Sequence, residues 1–229
     1  MICIAHRGDR KFPENTKAAF DAAIQKGCLS MELDLVSLKD GQVVIFHDDN
    51  LLRFFHDRRM VKDLTLQEFR SINPDLMTFH EFVERYKDAS IEINLEIKDS
   101  DKTLSSIADR IRELKNPVIS SFRRDIVTKA ISMGWKGAYL FEGALPLLWN
   151  YHSLCSNRIH INKEVLLGNS LLNILCKSLL KNKDVYCYTV NQKGDAIKLQ
   201  SMPFVKGIFT DTLLDFEPRN KYKFANKYI

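Results

Sequence analysis

Ile91-Glu92-Ile93-Asn94-Leu95-Glu96-Ile97-Lys98 alternates apolar and polar residues along its whole length. Side chains of a strand repeat every two residues, so the four apolar residues take one face. Glu92, Asn94, Glu96 and Lys98 take the other. Two architectures accommodate such a strand. In a half-exposed antiparallel sheet the polar face is simply solvated. In a barrel both faces are covered and the polar set points inward. Burying unpaired charge is expensive, so the barrel reading requires partners or a task for Glu96 and Lys98. Both sit at the C-terminal end of the strand, where barrel active sites are built. Taken alone, the segment leaves the two architectures even.

The rest of the chain tips the balance. Short β-branched runs recur at Ile2–Ala5, Met31–Val36, Val118-Ile119, Ala138–Phe141, Ile159–Ile161, Val185–Val190 and Gly207–Phe209. With residues 91–97 they make eight strands. Nearly all are followed by a helical pattern, over residues 15–26, 104–114, 126–133, near 147, 170–180 and 196–199. Repeated β–α alternation argues for a parallel sheet with helices outside. Eight units in this length fit an α/β (β/α)8 TIM barrel slightly better than an open doubly wound sheet. We therefore expect one barrel domain over residues 1–229. Gln42–His47 breaks the alternation: it follows strand two across Lys39-Asp40-Gly41, a hairpin signal. With Asp40-Gly41 as a two-residue turn, Asp34 faces His47, and Glu32 shares the face of Asp34.

Composition narrows the function classes. Lys plus Arg number 34 against 29 Asp plus Glu, a modest and scattered excess that gives little reason to expect a nucleic-acid partner. No apolar run reaches the ~20 residues that span a bilayer. The five cysteines form no C-x-x-C pair and their number is odd, which argues against a disulfide framework or zinc knuckle. Free thiols and an N-terminus without a basic, cleavable leader point to a cytoplasmic location. Gly-rich phosphate loops, H-E-x-x-H and G-x-S-x-G are all absent from the sequence.

Four short groups fall at strand ends that would share one mouth: His6-Arg7, Glu32 with Asp34, His47-Asp48, and Glu96 with Lys98. Each has a bland reading. A lone His6 is more often a satisfied core histidine, Glu32 and Asp34 an outer strand face, and His47-Asp48 a turn. Their combination carries more weight. Three carboxylates make a hard-oxygen site suited to Mg²⁺ or Ca²⁺. Two histidines can split general acid and base roles, while Arg7 and Lys98 can hold an anionic oxygen. Together these groups suit displacement at a phosphodiester.

The sequence resembles the glycerophosphodiester phosphodiesterases. The pieces that carry the resemblance are Ile4-Ala5-His6-Arg7-Gly8, Pro13-Glu14-Asn15-Thr16, Glu32-Leu33-Asp34 with Lys39-Asp40-Gly41, and His47-Asp48. They continue with Asn94–Lys98, Ser121-Phe122, Thr189-Val190-Asn191 and Gly207–Asp211. The resemblance implies a (β/α)8 barrel with Glu32, Asp34 and Glu96 as ligands of a divalent cation and His6 and His47 as the acid–base pair. It implies phosphate or substrate contacts from Arg7, Lys98, Phe122 and Tyr188. Glu14 matches a motif position, either as a structural partner of Arg7 or in a chemical role. In that family a substrate hydroxyl attacks phosphorus to give a cyclic phosphate, which water opens. The implied partner is a small glycerophosphodiester, cut to glycerol 3-phosphate and an alcohol. Lysophospholipid hydrolysis of the phospholipase D type, or phosphodiester binding without catalysis, are the alternatives on the same fold.

The sequence departs from the family in three places. Tyr188 stands where the family often has Trp, Met77-Thr78-Phe79 replaces a Pro-Thr-Leu-like turn, and residues 49–77 are too few for a large capping insertion. Phe54-Phe55 reads as core rather than a lipid-facing lip. The basic and aromatic tail Asn220–Ile229 reads as a loosely docked terminus, with weak contact to an anionic membrane as the alternative.

Overall fold

Eight parallel strands close on themselves in the computed structural model, which describes residues 1–212. They are β1 (Ile2–His6), β2 (Ser30–Ser37), β4 (Glu92–Ile97), β5 (Pro117–Ser121), β6 (Lys136–Phe141), β7 (Arg158–Asn162), β8 (Asp184–Tyr188) and β9 (Val205–Thr210). The short β3 (Val43–Ile45) is an antiparallel appendage on β2. Pairing of β1 with both β2 and β9 closes the ring, giving the expected (β/α)8 barrel with a hairpin after its second strand.

The alternation in β4 is resolved by what lies on its two sides. Ile93, Leu95 and Ile97 point outward into an apolar layer with Phe20, Phe82 and Ile111, which belong to the surrounding helices. Glu92, Asn94 and Glu96 take the opposite, inner face. There Glu92 meets Arg158 of β7 across the barrel in a two-pronged pair at 2.8 and 3.0 Å, and the Asn94 amide donates to Ser120 Oγ at 2.9 Å. The inner polar face is thus buried with Glu92 and the Asn94 amide partnered, while Asn94 Oδ1 has no hydrogen-bond partner among the described residues.

Three local readings are corrected. First, β2 and β3 pair as Leu35–Ile45, Val36–Val44 and Ser37–Val43, one residue out of the expected register. The loop holds three residues, with Gly41 in the left-handed region at φ 81°, its amide donating to Leu38 O, and Leu38 N donating to Gln42 O. This is the three-residue hairpin with a left-handed glycine rather than the two-residue form. Asp34 consequently stands opposite Phe46, whose amide donates to Asp34 O at 3.1 Å. Pairing ends at Ile45; Phe46 then joins the apolar cluster beneath the hairpin and His47 enters the barrel mouth.

Second, the helix expected over 104–114 is two helices, Asp101–Ser106 and Ala108–Glu113. Ser105 and Ser106 donate their hydroxyls to the carbonyls of Asp101 and Thr103 just before the break, the competition with the helical ladder expected of serine. Third, Phe54 and Phe55 divide. Phe55 stacks beside Phe46 in the cluster beneath the hairpin, whereas Phe54 is 39% exposed with the Arg53 guanidinium 4.1 Å above its ring. The tail Asn220–Ile229 lies outside the described residues. No helix among the described residues is long and apolar enough to cross a membrane.

Candidate active site

The C-terminal ends of β1, β2 and β4 place the charged groups. After His6 the backbone turns sharply through Arg7 (φ 58°) and Gly8 (φ 89°). A Cβ on Gly8 would lie 2.6 Å from that of Ala19, so only glycine lets this turn pack against the helix Lys17–Gln25. The turn aims the Arg7 amide at Glu32 Oε2 (3.1 Å) and its guanidinium at Asp34 Oδ2 (3.0 Å) and Glu14 Oε1 (3.0 Å). Asn15, also at positive φ (59°), donates its amide to Asp34 Oδ2 at 2.9 Å. In the register, His6 lies beside Glu32 and Asp34 beside Glu96.

Glu32, Asp34 and Glu96 each offer an oxygen within 4.8 Å of the others, a group that could hold a metal ion. Glu32 is 2% exposed and Asp34 fully buried. Burial, and after it the charge of Asp34, pushes the Glu32 carboxyl well above the usual range and raises Glu96 as well. Burial also opposes the Asp34 charge, but Arg7 and Lys98 outweigh it and hold Asp34 low. Lys98 Nζ lies 3.4 Å from Asp34 and 3.2 Å from Glu96. Two cations therefore face three buried carboxylates, and the deficit falls on Glu32. A divalent cation on these hard oxygen donors would remove it, so the residues fit such an ion.

Each histidine at the mouth is held by an aspartate. His6 Nδ1 is 2.7 Å from Asp211 Oδ1; Asp211 Oδ2 in turn accepts from the Asn191 amide at 2.7 Å. His47 Nδ1 is 2.6 Å from Asp48 Oδ1. Arg53 donates to both oxygens of Asp48 and also reaches both oxygens of Glu14. That pairing, assisted by His47, drops the Asp48 carboxyl to about 2. Burial pulls the His47 ring below the ordinary histidine range, against the opposing charge of Asp34. A ring whose Nδ1 is occupied presents Nε2 to a substrate, and a neutral one can accept a proton there.

His6, Arg7, Glu32, His47, Glu96, Lys98, Phe122 and Tyr188 all line one cavity of about 170 Å³, with Asp34 immediately behind it. Every residue singled out from the sequence is thus at the same mouth. The Phe122 and Tyr188 rings meet edge to face, 6.4 Å apart. Glu14 is seen as a bridge between Arg7 and Arg53. Sequence reasoning assigned no role to Asp211, Asn191, Glu142 or His160. Asp211 and Asn191 lay inside the matched pieces, so their signal was present as polar residues at strand or turn ends. Glu142 and His160 lay outside them and carried none. His160 is buried in the cavity wall, accepts from Arg158 Nε at 3.0 Å, and is pushed well below the ordinary histidine value by burial and Arg158.

The chain is similar to known proteins in both sequence and fold. The sequence model of the "Glycerophosphoryl diester phosphodiesterase family" matches residues 6–214. A glycerophosphodiester phosphodiesterase of Caldanaerobacter subterraneus is 29% identical over 92% of this chain and 93% of its own. The crystal structure of a glycerophosphodiester phosphodiesterase from Thermotoga maritima superposes with a TM-score of 0.79 at 25% identity, covering 93% of this chain and 95% of that one. An Oleispira antarctica phosphodiesterase solved with its product sn-glycerol-3-phosphate shares the fold at a TM-score of 0.79 and 22% identity, over 94% of both chains.

Proposed function

Because the chain belongs to the glycerophosphoryl diester phosphodiesterase family, we propose that it cuts glycerophosphodiesters to glycerol 3-phosphate and an alcohol by metal-dependent, two-histidine catalysis. The observation that carries this reading is the pair of His–Asp couples, His6–Asp211 and His47–Asp48, on a cavity that also exposes Glu32, Glu96, Arg7 and Lys98. Glycerol 3-phosphate is also the product that the O. antarctica phosphodiesterase holds.

Glu32, Asp34 and Glu96 would hold a divalent cation, Mg²⁺ or Ca²⁺, which supplies positive charge to the phosphoryl oxygens when bound. Arg7 and Lys98 hold the remaining phosphoryl charge. The Phe122 and Tyr188 rings form the wall against which the organic part of the substrate rests. His47, with Nδ1 occupied by Asp48, takes the proton of the glycerol hydroxyl next to the phosphoester. That oxygen bonds to phosphorus as the bond to the alcohol oxygen breaks, and His6 gives the departing alcohol its proton. In the second half the roles exchange. His6 deprotonates the water that opens the five-membered cyclic phosphate, and His47 returns a proton to the glycerol oxygen. Most of the residues that line the cavity are polar or charged, with Phe122, Leu140 and Phe209 the exceptions, which favours a deacylated diester over a lysophospholipid, whose acyl chain needs an apolar channel.

The test is metal removal. Protein stripped with EDTA should lose turnover of glycerophosphocholine and glycerophosphoglycerol and regain it with Mg²⁺ or Ca²⁺. Full turnover by a verified metal-free sample would contradict the metal assignment.

A further inference from the structure

Glu142 is the one carboxylate lining the cavity that belongs to neither the acidic group nor its cations. It follows the C-terminal end of β6, which lies four strands from β1 in either direction round the barrel and so faces it across the mouth. Its oxygens accept from the Tyr188 hydroxyl (3.2 Å) and the Asn162 amide (2.9 Å). Both donors are neutral, and among the described residues no Lys, Arg or His forms an ion pair with it. Arg7 and Lys98, in contrast, face Glu32, Asp34 and Glu96. Glu142 therefore keeps an uncompensated negative charge.

Two aromatic rings stand beside that charge. Tyr188 holds Glu142 and meets Phe122, which is 52% exposed. Aromatic faces carry negative potential and attract cations, above all quaternary ammonium groups. We infer that Glu142, Tyr188 and Phe122 form a subsite for a positively charged alcohol, so that diesters carrying an ammonium group are the preferred substrates. The inference rests on the phosphodiesterase reading above. Depth assigns the subsite to the alcohol rather than to glycerol. The carboxylates that would hold the cation, and through it the phosphoryl group, lie at the floor of the cavity, and the attacking hydroxyl, on the carbon next to the ester, must lie near their level. Glu142 and Phe122 are exposed at the rim, where the far end of a departing alcohol would project.

The experiment compares kcat/KM for glycerophosphocholine, glycerophosphoethanolamine and the neutral-headed glycerophosphoglycerol, using wild type, Glu142→Gln and Glu142→Lys. Wild type should prefer the two ammonium diesters. Glu142→Gln should lower the choline-to-glycerol ratio about three- to tenfold, the size of a partly exposed cation–π and ion-pair contact. Glu142→Lys should lower it further. A wild-type ratio near one, with all three diesters turned over, would overturn the subsite and leave the phosphodiesterase reading standing. So would a parallel loss on all three diesters in Glu142→Gln, which would place Glu142 on the glycerol arm. Turnover of none of the three by metal-loaded wild type would overturn both.

Discussion

His6 and His47 are alike in construction: each presents Nδ1 to an aspartate 2.6–2.7 Å away and lines the same cavity. Positioned acid–base groups are worth roughly 10²–10⁴ in rate. His6→Ala and His47→Ala should therefore each lower kcat at least about a hundredfold with the fold intact by circular dichroism. The double variant should lose far less than the product of the single losses, because the two act as a unit. A diester with a good leaving group, such as a nitrophenyl ester, should rescue His6→Ala, which lacks the acid, and not His47→Ala. Rescue of the other variant would reverse the assignment. At this scale the sequence was informative because these residues occur in short, ordered groups such as His6-Arg7-Gly8 and Asn94–Lys98. Asp211 and Asn191 belong to the matched pieces but show no role there, because their task is to hold His6, and that depends on the meeting of β1 and β9. No motif announces Glu142, whose setting is created by Tyr188 and Asn162 from two other strands.

Local chemistry marks element boundaries that the apolar periodicity alone does not reveal, as at the helix Phe79–Tyr86. The helix Phe79–Tyr86 opens with a capping box, Thr78 accepting from Glu81 N while Glu81 accepts from Thr78 N. Its inner face places Phe82 against Phe20 and Tyr86. Thr78→Ala removes the cap and should destabilise the protein by about 1 kcal/mol in urea unfolding, with m unchanged. A loss below a few tenths would mean that packing alone sets this helix. The hairpin was legible as a hairpin, but its register was not. Asp-Gly is compatible with two- and three-residue loops, and one extra residue in the loop shifts every partner by one. His47 reaches the mouth by leaving the sheet after Ile45, so it does not face Asp34 across the hairpin, although the charge of Asp34 still acts on its ring. The break at Ile107 escaped the periodicity because Ala108 and Ile111 continue an apolar pattern across it. The serine hydroxyls that compete for the preceding carbonyls leave no mark on that pattern.

The whole molecule is a ring, and its closure explains why a strand as polar as β4 is buried. At the N-terminal end of the barrel, Arg158 joins Glu92 across the interior and stacks 3.9 Å above the Tyr186 ring. Breaking such a pair leaves its partner unpaired inside. Arg158→Met or Glu92→Gln alone should cost about 3 kcal/mol, whereas the Glu92→Leu/Arg158→Met double variant should recover most of that loss. Simple additivity in chemical denaturation would show that the pair is not coupled. Eight β–α units were countable in the sequence, yet β4 alone was compatible with a solvated sheet face, because the partners of Glu92 and of the Asn94 amide come from β7 and β5. At the other end of the barrel the same ring brings two His–Asp couples and three carboxylates to one cavity. The claim built on them is internal attack by the glycerol hydroxyl. Its most direct test is ³¹P NMR of the metal-loaded enzyme acting on glycerophosphocholine and on its 2-deoxy analogue. Internal attack predicts glycerol 3-phosphate and choline from the first and no turnover of the second; comparable cleavage of the analogue, or phosphocholine and glycerol as products, would contradict it.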